Sequence, residues 1–105
     1  MLFILTKKNY FTILVNMRHL KATIYGRVQG VNFRFNTREK AEELNLSGWV
    51  ANQTDGSVYL EAEGEEENLI SFLDWCRQGS PVARVDRVDY KFSEDLRGFE
   101  GFEIR

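Results

Sequence analysis

The stretch Gly26-Arg27-Val28-Gln29-Gly30-Val31-Asn32-Phe33-Arg34 gathers the groups from which an anion site is built. Gly30 lets the backbone approach a bound group, or take a positive φ, without a Cβ penalty. Arg34 carries a planar guanidinium that can grip phosphate through two parallel hydrogen bonds. Where a strand turns into a helix here, the first helical N–H groups lack intrahelical partners and point, with the positive end of the helix dipole, into one small space. The residues alone leave two readings open: such a cradle, or an ordinary turn with a solvent-facing arginine. Further on, Asn52 stands beside a turn. Its amide donates and accepts at once, so it can hold a water, or it can cap the turn's backbone.

Other hydrolytic chemistries lack their residues. There is no cluster of His, Cys and carboxylates at ligand spacing, so no metal site is expected. The single histidine, His19, opens a strand and is expected at the surface, not as a general base. Ser and Cys nucleophiles have no histidine beside them, and no Gly-Lys-Ser/Thr phosphate loop occurs. A site without base, metal or nucleophile can still cleave a bond whose leaving group departs easily. It has to bind the phosphoryl group, neutralise developing charge and place a water in line.

The elements that must position these groups follow from periodicity. Leu20, Ala22 and Ile24 alternate with Lys21, Thr23 and Tyr25, which predicts a strand with one buried face. Phe33, Thr37, Ala41 and Leu44 form one stripe of a helix running to about Asn45. A strand is expected from Gly48 to Gln53, then a hairpin at Thr54-Asp55-Gly56-Ser57, because Asp-Gly tolerates positive φ. The next strand alternates Val58, Leu60 and Ala62 with Tyr59, Glu61 and Glu63. Glu65-Glu66-Glu67 complements the dipole of a second helix whose stripe is Leu69, Phe72, Leu73 and Cys76, and Gly79-Ser80-Pro81 ends it. Between Val82 and Phe92 the apolar parity slips from Val85 to Val88, which predicts a bulge. A last strand, Gly101 to Arg105, is expected to bury Phe102 and Ile104. Helices interleaved with strands in this order give an α+β two-layer sandwich of the ferredoxin-like type, with both helices on one face of an antiparallel sheet.

At 105 residues the chain makes one domain. With 14 basic against 16 acidic residues, it lacks the basic footprint of a nucleic-acid binder. An RNA-binding sheet would need paired aromatics on a basic face, whereas Glu61 and Glu63 flank Tyr59. The lone Cys76, on the apolar stripe of its helix, is expected to be buried and inert. Residues 1–18 are expected to form an extension to a domain at 19–105. Their apolar runs are too short for a membrane span and fit a secretory signal poorly. They read as a tail, as a short appended element or, the favoured reading, as a translated leader before a start at Met17.

The loop at 26–34, followed by Gly48-Trp49-Val50-Ala51-Asn52 and Asp55-Gly56-Ser57-Val58, resembles the two signature segments of the acylphosphatase family, and the likeness runs from about Arg18 to the closing Gly-Phe-Glu-Ile-Arg. The resemblance implies a five-stranded sheet of order 4-1-3-2-5 and hydrolysis of an acyl phosphate to a carboxylate and inorganic phosphate. By the same likeness Arg34 and the amides of Gln29, Gly30, Val31, Asn32, Phe33 and Arg34 would bind the phosphate, and Asn52 would hold the water. A substrate phosphate oxygen would help to deprotonate that water. So small and polar a domain is expected to be a monomer, cytoplasmic and independent of cofactor and metal, acting on a small molecule, with phosphate or sulfate as a site ligand and no nucleic-acid or membrane partner. A rival within the same resemblance is a carbamoyl-type phosphate module of a larger maturation protein. Asn32 stands where glycine or an aromatic residue is frequent in the family, and Phe35-Asn36 differs from commoner versions. A side chain at position 32 is expected to narrow the mouth or to add a contact.

Overall fold

A computed structural model describes residues 16–105. The expectations for the preceding extension and for a start at Met17 lie almost entirely outside the described residues. The order is β1 (Met17–Arg27), α1 (Phe33–Glu43), β2 (Ser47–Asn52), β3 (Val58–Glu65), α2 (Glu66–Gln78), β4 (Arg84–Ser93) and β5 (Phe102–Ile104).

The five strands form one sheet of order β4-β1-β3-β2-β5. β1 pairs antiparallel with both β3 and β4, and β2 pairs antiparallel with β3. The sheet is mixed, not purely antiparallel, because β5 lies parallel to β2, with Gly48 opposite Phe102 and Val50 opposite Ile104. The direction follows from the path of the chain. After β4 at one edge it returns to the opposite edge before β5 begins, so no tight turn forces an antiparallel pairing.

Alternation works as read. Leu20, Ala22, Ile24, Val50, Val58, Leu60 and Ala62 are buried from the sheet, and Phe33, Ala41, Leu69, Phe72, Leu73 and Cys76 are buried from the helices. Burial pushes the Cys76 thiol up to about 12, far from the thiolate that reacts. The parity slip in β4 is a register shift: Tyr25 faces Arg87 but Gly26 faces Val85, leaving Asp86 over. There Gly26 has φ 137°, and a Cβ on it would lie 2.1 Å from the carbonyl oxygen of Arg84, so the crossing needs glycine.

Two burial expectations are overturned. Ile104 is 36% exposed, at the end of a three-residue edge strand of which Phe102 alone is buried. His19 is 1% exposed instead of lying at the surface. Its Nδ1 is 2.6 Å from Glu63 Oε2, and its Nε2 lies 2.9 Å from Glu61 Oε1 without an aligned hydrogen bond. Glu63 also accepts the Arg97 amide at 2.5 Å and the Gly98 amide at 3.0 Å. A histidine stays buried when polar partners enclose it.

Candidate active site

β1 and β2 both run antiparallel to the strand between them, so they point the same way and their last residues reach the same end of the sheet. Ile24, Val58 and Asn52 lie in one row across it. With strands about 4.8 Å apart, Asn52 is two strand spacings from Ile24, which lies three residues before β1 ends at Arg27 and the loop to α1 begins. The topology therefore brings together two sequence segments that are far apart along the chain.

The loop is anchored on both flanks. Val28 and Phe33 are each 1% exposed and fix its two ends in the core. Ser80 Oγ donates to the Val31 carbonyl at 3.2 Å. The Gln29 side-chain amide crosses to the β2–β3 hairpin and donates to the carbonyls of Gln53 at 2.7 Å and Ser57 at 2.9 Å. The hairpin itself is locked by Asp55, whose carboxylate accepts the Ser57 amide at 2.9 Å. The hydrogen bonds from the Ser57 hydroxyl and amide hold the Asp55 carboxyl below its ordinary value. Gln29 thus ties the loop to the strand that carries Asn52.

Between these anchors the backbone turns outward. Gly30 takes φ 74° with open space where a Cβ would be. Asn32 takes φ 60° as the N-cap of α1, and its side chain makes no capping hydrogen bond. The Asn32 carbonyl accepts both the Asn36 amide and the Asn36 side chain, which closes the first helical turn. Among the described residues, none of the amides at 29–35 donates to a turn, loop or cap hydrogen bond. Uncapped amides at the start of a helix are donors waiting for an acceptor, with the dipole favouring a negative one.

Arg34, on the first turn of α1, donates from Nη1 to the main-chain oxygen of Arg105 at 3.0 Å. Arg105 is seated in turn on β2, its amide donating to the Val50 carbonyl at 2.8 Å and its guanidinium 4.5 Å from the Trp49 ring centre. One edge of the Arg34 guanidinium is therefore held, and its other donors make no hydrogen bond among the described residues. Asn52 is exposed at the end of β2. A single cleft of about 290 Å³ is lined by Gly30, Asn32, Phe33, Arg34 and Asn52, together with Val28, Phe35 and Ile104. It can hold a tetrahedral anion on amides and guanidinium, with a side-chain amide at its rim.

That arrangement can be set beside known proteins. The sequence model of the acylphosphatase family matches residues 20–104. The chain belongs to this family. It is 47% identical over 88 residues to the acylphosphatase of Salinibacter ruber, covering 84% of this chain and 93% of that protein. It is 56% identical over 81 residues to the acylphosphatase of Mannheimia succiniciproducens, covering 77% and 87%. The solved structure of an acylphosphatase from Coxiella burnetii superposes with a TM-score of 0.84 at 36% identity, over 89% of this chain and 97% of that one.

Of the residues singled out in the sequence, Gly30, Asn32, Phe33, Arg34 and Asn52 line the family member's cleft, while Gln29 and Val31 do not: the Gln29 side chain reaches the hairpin and Val31 packs against the core. Sequence reasoning missed three features. The Gln29 side chain is a clasp to the hairpin, Arg105 steadies Arg34 through its main chain, and Phe35 and Ile104 form part of the wall. The first two contacts join residues 24 and 71 positions apart and leave no local pattern. An aromatic on the wet side of α1 was the available signal for the third.

Proposed function

We propose that this acylphosphatase family member hydrolyses the carboxyl-phosphate bond of small acyl phosphates with Arg34 and the 29–34 amides as the phosphate cradle and Asn52 as the holder of the attacking water. In this reading the phosphoryl oxygens take the free amides and the free edge of the Arg34 guanidinium. Water held by the Asn52 carboxamide attacks phosphorus in line, the P–O bond to the acyl group breaks, and the electron pair leaves with the carboxylate. The water's proton passes to a phosphoryl oxygen, so an acyl phosphate dianion and water give a carboxylate and dihydrogen phosphate. A carboxylate needs no protonation to leave, which suits a cleft whose lining, among the described residues, includes no histidine, lysine or carboxylate side chain.

The observation that carries this reading is the convergence of Arg34, the uncapped helix start and Asn52 on one cleft. The proposal extends to a cofactor-free monomer in the cytoplasm, with phosphate or sulfate as site ligand and neither nucleic acid nor membrane as partner. All the proposed groups come from one chain, and no helix among the described residues is long and apolar enough to cross a membrane.

The test is hydrolysis of acetyl and benzoyl phosphate by the purified protein, with inorganic phosphate as competitive inhibitor. Arg34→Ala should lower kcat/KM about a hundredfold to a thousandfold. Arg34→Lys should not restore it, because an ammonium lacks the planar fork. Parent-like rates in both variants would overturn the assignment.

A further inference from the structure

Resting on that reading, we propose that Phe35 and Ile104 form an acyl-group subsite that selects acyl phosphates with a bulky apolar or aromatic acyl part. Only six large hydrophobic side chains among the described residues are exposed, and two of them, Phe35 at 42% and Ile104 at 36%, lie on the wall of the cleft that holds Arg34 and Asn52. They come from different elements, α1 and β5, so one helix's periodicity does not account for both.

Neither exposure is required by the core. The buried face of α1 is Phe33, Thr37 and Ala41, and Phe35 stands about 200° from Phe33 around the helix, on its wet side. On β5 it is Phe102 that packs inward, its ring 6.1 Å from that of Phe72. The Arg38 guanidinium, which is not part of the cleft lining, lies over the Phe35 ring, 5.5 Å from its centre. That leaves a fixed apolar surface beside the cleft, held on one side by a cation–π contact.

The geometry of the substrate supplies the rest. When the phosphoryl group occupies the amides and Arg34, the acyl carbon sits one bridging oxygen away, so its substituent has to leave the cleft past the wall. A methyl group would cover little of Phe35 and Ile104. A phenyl ring would bury apolar area on both and could stack on Phe35. The subsite thus recognises the part of the substrate that the phosphate cradle does not touch.

The experiment measures kcat and KM for benzoyl and acetyl phosphate in the parent, in Phe35→Ala, in Ile104→Ala and in Phe35→Leu. The parent should favour benzoyl phosphate in kcat/KM by about tenfold or more. Both alanine variants should lose most of that preference through KM for benzoyl phosphate, with acetyl phosphate changed less than about twofold, and Phe35→Leu should keep part of it. A parent ratio near one, or variants that lose both substrates equally, overturns the subsite while leaving the phosphate cradle standing. No turnover of either substrate by the parent overturns the cradle and the subsite together.

Discussion

The two ends of β1 hold polar clusters of opposite design. At its beginning His19 and Glu63 are 1% and 3% exposed, and the Glu63 carboxylate accepts the histidine and two amides of the 94–101 segment. At its far end the loop into α1 presents amides, one guanidinium with a free edge and an exposed carboxamide, with donors in excess of acceptors. The first cluster is close to satisfied within the chain and holds a long connection against the sheet. The second is a deficit of acceptors that an anion would fill. Burial of charged and polar groups is thus no marker of a site by itself; the sign of what is missing is.

Substitutions should separate the ends cleanly. The largest effect is expected from Arg34→Ala, whose loss of turnover should come with a stability change of no more than about 1 kcal/mol, since the half-buried side chain gives up one exposed hydrogen bond, to the Arg105 main chain. Glu63→Ala should do the reverse. Stripping the acceptor from His19 and two amides should destabilise the fold by about 3 kcal/mol in denaturant titration, while the folded fraction keeps its kcat, because the two clusters share no partner. A Glu63→Ala protein that is stable but inactive would erase the distinction.

Smaller effects sharpen the picture at the cleft. Asn52→Ala should lower kcat about tenfold to a hundredfold with phosphate inhibition retained, as expected for a group that positions water and not phosphate. Gln29→Ala should lower kcat about tenfold by loosening the hairpin from the loop, and Gln29→Glu should not rescue it, because a carboxylate cannot donate to the carbonyls of Gln53 and Ser57.

The mildest test is acid. Burial alone would raise the Glu63 carboxyl, but the Arg97 amide, His19 and the Gly98 amide outweigh it and hold it below the ordinary 4.5. A depressed folded-state value means that its stabilisation is full above about pH 4.5 and drains away as pH falls through the folded value. Stability measured against pH should therefore fall below about 4.5 in the parent, and Glu63→Gln should flatten that acid limb.

The ends also differ in how far the sequence discloses them. The cleft end was largely legible because its signals are local: the alternation of Leu20, Ala22 and Ile24, the stripe from Phe33, Gly30 before a helix start and the Asp55-Gly56 turn. The His19 end was not. Its partner Glu63 lies 44 positions away and reads as one more wet-face residue of an alternating strand. For the same reason the direction of β5, the Gln29 clasp and the exposure of Ile104 escaped a local reading, since each is decided by what lies beside it across the sheet. Periodicity reports which face a residue takes, not who meets it there.

The central claim is that the loop and Asn52 present open donors to a solvent-accessible cleft, whereas at the His19 end the Glu63 carboxylate takes the nearby donors and, among the described residues, the buried Nε2 of His19 is left without a hydrogen bond. It is tested most directly by following backbone and side-chain amides in 15N–1H NMR while inorganic phosphate is added. The largest saturable shifts should fall on the 29–35 amides and the Asn52 carboxamide and vanish in Arg34→Ala, with Arg97 and Gly98 unmoved. Shifts that are absent, or that centre on Arg97 and Gly98, would contradict it.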